Sequence, residues 1–346
     1  MLSLLPLIGL LRLATSQSFI VLDNGQSQSS TSTLQWPTSL RRLAQDGSNT
    51  TTLTQFNAEV NTSPIGAQAL AYSPSSTFLF SATGKGIIRT NLDGSSSTTI
   101  LPNPNPNQTP SLTVAETEQR IYYSDPSTFS IQKTDFNGAN TQLVRNVSQG
   151  TDLHATGVVV DEARGWIYWT AASSSDNNNN GATASGSLFR AALSGTGDAQ
   201  LLVNRINAIP GQLRIVVESL FWLENTASAT SIKYLDRYIS QLPATPTAPF
   251  KSVPTGVLIS SSQSPLFSVV NDGGEVQKFA ISSFYVYRDG FNQTVWFVAK
   301  SVGKGVFSVL VEVVWRGSGG SRGPVFKVLS QGVGALGVPV GLEYVR

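Results

Sequence analysis

The sequence predicts an all-β chain, a β-propeller of four-stranded blades, on three observations. One aromatic strand recurs six times: Phe19-Ile-Val-Leu-Asp23, Phe78-Leu-Phe-Ser-Ala82, Ile121-Tyr-Tyr-Ser-Asp125, Ile167-Tyr-Trp-Thr-Ala171, Leu220-Phe-Trp-Leu-Glu224 and Val295-Trp-Phe-Val-Ala299. Several copies are spaced by one repeat of roughly 40–50 residues, the period of propeller blades. Arg42, Arg89, Lys133 and Arg190 then each stand five residues before a glycine, namely Gly47, Gly94, Gly138 and Gly195.

The aromatic copies are the second strands. The Arg/Lys residues mark third strands, and the glycines sit in turn strings such as Leu-Asp-Gly94 and Phe-Asn-Gly138. Such turns need a positive φ, which glycine adopts without steric cost. Short Thr- or Leu-bearing fourth strands follow at 50–53, 98–101, 141–144 and 200–203. Upstream of the aromatic copies lie apolar first strands at 67–72, 111–115, 156–160 and 213–217. Near-continuous Val, Leu and Ala suits strands buried on both faces around a central channel.

The chain ends complement each other. The N-terminal copy has second to fourth strands but no first strand, whereas Val340–Val345 reads as a first strand with no blade of its own. Pairing the two closes the ring and removes open sheet edges. Between 255 and 346 the reading is less regular. Leu266–Val270 with Val276–Phe279 resembles the second and third strands of a further copy, and Phe284–Asp289 a first strand before the Val295 copy. A literal count of the copies gives seven blades. The domain reading is a signal peptide over 1–16 and one propeller over 17–346.

Composition narrows the function class. Charged residues are 13% of the 346, net charge is +2, and 40% of residues are hydrophobic. Such a chain has material for a core and no broad attraction to nucleic acid or anionic membrane. There are no cysteines, so disulfide and thiolate chemistry are absent. Leu2–Leu13 is an apolar run followed by Ala14-Thr15-Ser16, a small-x-small cleavage pattern. It is shorter than the about 20 residues of a membrane span. Secretion is therefore expected, with N-glycosylation at the sequons Asn49, Asn61, Asn107, Asn146 and Asn292.

Residues that carry chemistry are few. The single histidine, His154, lies two residues before an expected channel strand. Glu116, Asp161, Glu218 and Asp289 stand just beyond first strands, with Glu343 in the closing one. Converging at a channel mouth, they would hold a hard cation such as Ca²⁺ through oxygen ligands. The competing reading is that they cap strand ends and accept hydrogen bonds in turns; it is preferred, and no cofactor is then expected. The Arg/Lys series reads as structural, its aliphatic stems covering blade faces. Tyr122, Tyr168, Trp169, Phe221, Trp222 and Trp296 are core candidates.

At Ile167-Tyr-Trp-Thr170, and more loosely at Tyr122–Asp125, the chain resembles the YWTD repeats of the LDL-receptor family (class B-like). The flanking pattern agrees, from Val160-Asp161 through Leu188-Phe-Arg190 to Gly195. That resemblance implies a six-bladed propeller acting as a non-catalytic extracellular module that binds a protein or small ligand. The motif's aspartate is present at Asp125 and Asp23 but is Ala82, Ala171, Ala299 or Glu224 elsewhere, and the family's flanking cysteine-rich modules are missing. The alternative is a lactonase- or esterase-type metal-dependent hydrolase with a carboxylate site at the channel mouth. A structural, wall-associated role also fits the Ser/Thr/Asn-rich composition. A monomer without nucleic acid or a membrane span is expected.

Overall fold

The computed structural model describes residues 17–24, 38–56, 69–103, 109–147, 153–173, 186–206, 208–226, 229–235, 256–260, 268–270, 276–289, 292–302, 308–315, 325–332 and 339–345. Over these residues the chain is a six-bladed β-propeller, with 25 strands and no helix.

In chain order the strands are β1 (Ser18–Asp23), β2 (Thr38–Ala44) and β3 (Thr51–Phe56); β4 (Leu70–Ser73), β5 (Phe78–Thr83), β6 (Gly86–Asn91) and β7 (Ser97–Pro102); and β8 (Leu112–Ala115), β9 (Arg120–Asp125), β10 (Ser130–Asp135) and β11 (Gln142–Asn146). Then come β12 (Leu153–Asp161), β13 (Trp166–Ser173), β14 (Gly186–Ala192) and β15 (Gln200–Ile206), followed by β16 (Ile209–Val216), β17 (Ser219–Asn225), β18 (Thr230–Leu235) and β19 (Gly256–Ser260). The last are β20 (Ser268–Val270), β21 (Val276–Asp289), β22 (Asn292–Val302), β23 (Ser308–Trp315), β24 (Val325–Gly332) and β25 (Pro339–Val345).

Each sheet is an antiparallel meander. The first blade is completed by β25, which pairs with β1 from Ser18↔Val345 to Asp23↔Pro339. The first strands β25, β4, β8, β12, β16 and β21 contact one another in turn around a closed cycle. The expected closure is therefore present. An aromatic cluster seals the seam between the last blade and the first: Trp296 stacks on Tyr344 at 4.7 Å between centroids, and Phe19 meets both rings.

Among the described residues there is no seventh blade. Residues 276–289 form one 14-residue strand, β21, and short β20 pairs only with its first residues. What reads as a separate third strand and first strand is a single strand carrying a β-bulge between Ile281 and Ser283. Alternation of apolar residues does not distinguish a chain break from a bulge.

The aromatic strands are the core. Tyr122, Tyr168, Phe221 and Trp222 are fully buried, with Trp169 and Trp296 nearly so. It is the charged ends of the Arg/Lys series that lie over rings: the guanidinium of Arg89 over Phe78, the ammonium of Lys133 over Tyr122 and the guanidinium of Arg190 over Trp166. Their charges, however, do not simply reach solvent. Arg42 donates to the Leu92 carbonyl at 2.7 Å and Arg89 to that of Phe136 at 3.1 Å. Both acceptors occupy the same place, two residues before the turn glycine of the next blade. In the third blade Arg145 takes over this clamp and donates to the Gly195 carbonyl. Arg190 is wholly buried, its Nε donating to Gln200 Oε1 at 2.7 Å.

Residues 1–16, Asn61 and Asn107 lie outside the described residues. Asn49, Asn146 and Asn292 are exposed. No helix of the described chain is long and apolar enough to cross a membrane.

Candidate functional site at the channel mouth

Hairpin register defines the site. In every blade the first-strand residue opposite the second position of the aromatic strand is equivalent. These pairs are Glu343↔Ile20, Tyr72↔Leu79, Thr113↔Tyr122, Val159↔Tyr168, Arg214↔Phe221 and Tyr285↔Trp296. Six blades thus contribute one ring of six side chains. All of them except Val159 line a cavity of about 420 Å³, together with Tyr344 and Glu116. That volume falls within the range of small-ligand sites.

Arg214 spans the ring. Its guanidinium binds Glu343 through both oxygens, Nη2 to Oε1 at 2.7 Å and Nη1 to Oε2 at 3.1 Å. It also donates to the carbonyls of Leu342 at 2.8 Å and Phe284 at 3.3 Å, and lies 4.9 Å from the centre of the Tyr285 ring. Burial pushes the Glu343 carboxyl above its ordinary range, while the Arg214 charge pulls it back. The bidentate geometry makes this an ion pair shielded from water, joining the fifth blade to the closing strand.

The carboxylates just past the first strands hold turns. Glu116 Oε2 accepts from Ser73 Oγ at 3.1 Å, from Ser75 N at 3.3 Å and from Ser75 Oγ. Glu162 accepts from the backbone N–H groups of Thr117 and Glu118. Arg164 bridges Asp161 at 3.0 Å and Glu218 at 3.4 Å. Each link ties one blade's strand 1–2 turn to its neighbour's, so the rim is a chain of carboxylate contacts. Asp289 is exposed at the end of β21.

Of the sequence-selected carboxylates, only Glu116 and Glu343 share the cavity. Among the described residues no three His, Cys, Asp or Glu side chains are grouped closely enough to hold a metal ion. His154 is within β12, near the opposite end of that strand from Asp161, about 20 Å away at 3.3 Å per residue. First strands of a propeller run in the same direction, so His154 belongs to the other mouth. Burial holds its imidazole below the ordinary 6.5.

Arg214, Tyr72, Tyr285 and Tyr344 were not singled out by the sequence reading. The signal that reveals them is register: the residue facing the second aromatic-strand position across each first hairpin.

No family model matches the chain, and no curated protein matches it. Among solved structures, a chain of the nidogen/laminin complex is similar with a TM-score of 0.49 at 15% identity, over 82% of this chain and 89% of that one. A Lactobacillus plantarum protein gives 0.47 at 13% identity, over 95% and 100%. A putative 6-phosphogluconolactonase from Bacteroides uniformis gives 0.45 at 11%, over 95% and 99%.

Proposed function

We propose that the chain is a secreted, YWTD-like propeller that binds an extracellular ligand at this channel mouth without transforming it. One observation carries the reading. Most of the charged groups near this mouth are engaged in structural contacts, Arg214 with Glu343 and Asp161 and Glu218 with Arg164. That leaves Glu116 as a single unpaired carboxylate there, and no acid–base pair or metal-ligand cluster among the described residues. What remains facing the cavity is a tyrosine-rich wall suited to recognition. The YWTD-type repeat supports a binding role, and the signal-like N-terminus and sequons support secretion.

A second reading, the lactonase- or esterase-type hydrolase, rests on Glu116 and Glu343 sharing the cavity. The test uses full-length protein, its Thr113→Trp variant, which fills the ring, and a panel of extracellular ligands and lactone and ester substrates. Binding by the native protein, lost in the variant at unchanged melting temperature, supports the proposal. Turnover that disappears on chelation and returns with Ca²⁺ sinks it.

A further inference from the structure

The charge balance of the cavity selects a ligand class. Arg214 is the one cationic side chain lining the cavity among the described residues, and its donors are committed to Glu343 and two backbone carbonyls. Arg214 and Glu343 cancel, so neither is available to an incoming anion or cation. Glu116 is different. Its Oε2 takes every donor it receives, from Ser73 and Ser75, and all of these are neutral. Its Oε1 is shielded from water with no hydrogen-bond partner, and no lysine, arginine or histidine among the described residues pairs with it. Glu116 is half-buried, and the negative field of its shielded oxygen, with no cation beside it, favours a positively charged donor. Tyr72 feels that field: burial and then the Glu116 charge raise its phenol above the ordinary value.

The walls around this charge are aromatic. Tyr72, Tyr285 and Tyr344 line the same cavity, and tyrosine rings attract organic cations through the ring quadrupole. One face of Tyr285 already carries the Arg214 guanidinium and one face of Tyr344 stacks on Trp296, so Tyr72 and the remaining ring surface are what a ligand meets. A bare metal ion would find only Glu116 unpaired, whereas an organic ammonium gains from both the carboxylate and the rings.

We propose that this cavity recognises an organic ammonium group, seated against Glu116 and the tyrosines, and presented either by a small amine or by a lysine side chain of a protein. The proposal rests on the reading of this mouth as the binding site. No bond is made or broken.

Calorimetric titration tests it with cadaverine and N-acetyl-lysine methylamide, each against its neutral isostere, 1,5-pentanediol or N-acetyl-6-hydroxynorleucine methylamide, with glutarate as the anion. At low salt the amines are expected to bind at least tenfold more tightly than the isosteres, and glutarate not at all. Glu116→Gln, with folding checked by thermal melting, should erase the amine preference. Tighter binding of the capped lysine identifies a protein side chain as the source, and tighter binding of cadaverine a small amine. Equal binding of amine and isostere, absence of saturable amine binding, or a preference surviving Glu116→Gln overturns the ammonium assignment. The native comparison needs no variant. Thr113→Trp separates the two layers: amine binding that persists in the filled cavity refutes this mouth as the site. Neutral-ligand binding that is lost in the filled cavity keeps the mouth and discards the ammonium.

Discussion

His154 gives the clearest test at the scale of one residue, because it is the chain's only histidine. Burial disfavours its imidazolium, so its native value lies below the 6.5 of an exposed side chain. The unfolded chain therefore binds this proton more readily than the folded one. Its contribution to stability is complete above about pH 6.5, and it declines as pH falls toward the native value. Thermal melts between pH 7.5 and 5.5 should show the native protein losing stability that His154→Gln retains. Parallel curves for the two proteins would remove the burial account. The same residue shows where single-residue reading stops. Its nearness in sequence to Asp161 suggests a shared site, but an extended strand carries them to opposite mouths. Glu116 shows the complement, a residue singled out from sequence whose uncompensated oxygen emerged only from its neighbours.

The turn glycines carry the element scale. Gly47, Gly94, Gly138 and Gly195 have φ between +78° and +81°, and each N–H closes a turn onto the carbonyl three residues before. A Cβ built on Gly94 or Gly138 would fall on the backbone carbonyl of the preceding blade's outer strand, at Leu53 or Ile100. These glycines thus serve both the hairpin and the blade-to-blade contact. Gly165 has φ +69° but open space where a Cβ would sit. Gly165→Ala should cost about 1–2 kcal/mol from the left-handed backbone alone. Gly94→Ala and Gly138→Ala should cost a further 1–3 kcal/mol or so, because the outer strand must move. Urea midpoints read the difference; equal costs would show that the blades tolerate separation there. The Arg/Lys-to-glycine spacing was legible because both ends are tied to one hairpin. The clamp it makes with the next blade was not, since acceptor and donor are 50 residues apart for Arg42 and Leu92.

At the scale of the molecule, the ring closes through β25 on β1, the Trp296–Tyr344–Phe19 cluster and the Arg214–Glu343 pair. Removing one partner of a buried ion pair strands the other charge, at a cost of about 3–5 kcal/mol. Arg214→Met or Glu343→Gln should therefore lower the melting temperature sharply. Arg214→Met combined with Glu343→Leu should recover much of it, because no charge is then left buried. The recovery stays incomplete, since the carbonyls of Phe284 and Leu342 lose a donor worth about 1 kcal/mol each. A double variant no better than the singles would mean that the ion pair does not couple the fifth blade to the closing strand.

The sequence alone determined the scaffold: four-stranded repeats, their turn chemistry and the complementary ends. Each of these is written in a local pattern of alternation, aromatic content and glycine spacing that one hairpin enforces. Only the tertiary structure decided the blade count, because a bulged strand and two separate strands share the same alternation. It also decided the site. Arg214 and Glu343 are 129 residues apart, and they meet because hairpin register and ring closure bring six first strands to one level. A short-range pattern carries no record of a contact that exists only once the ring has closed.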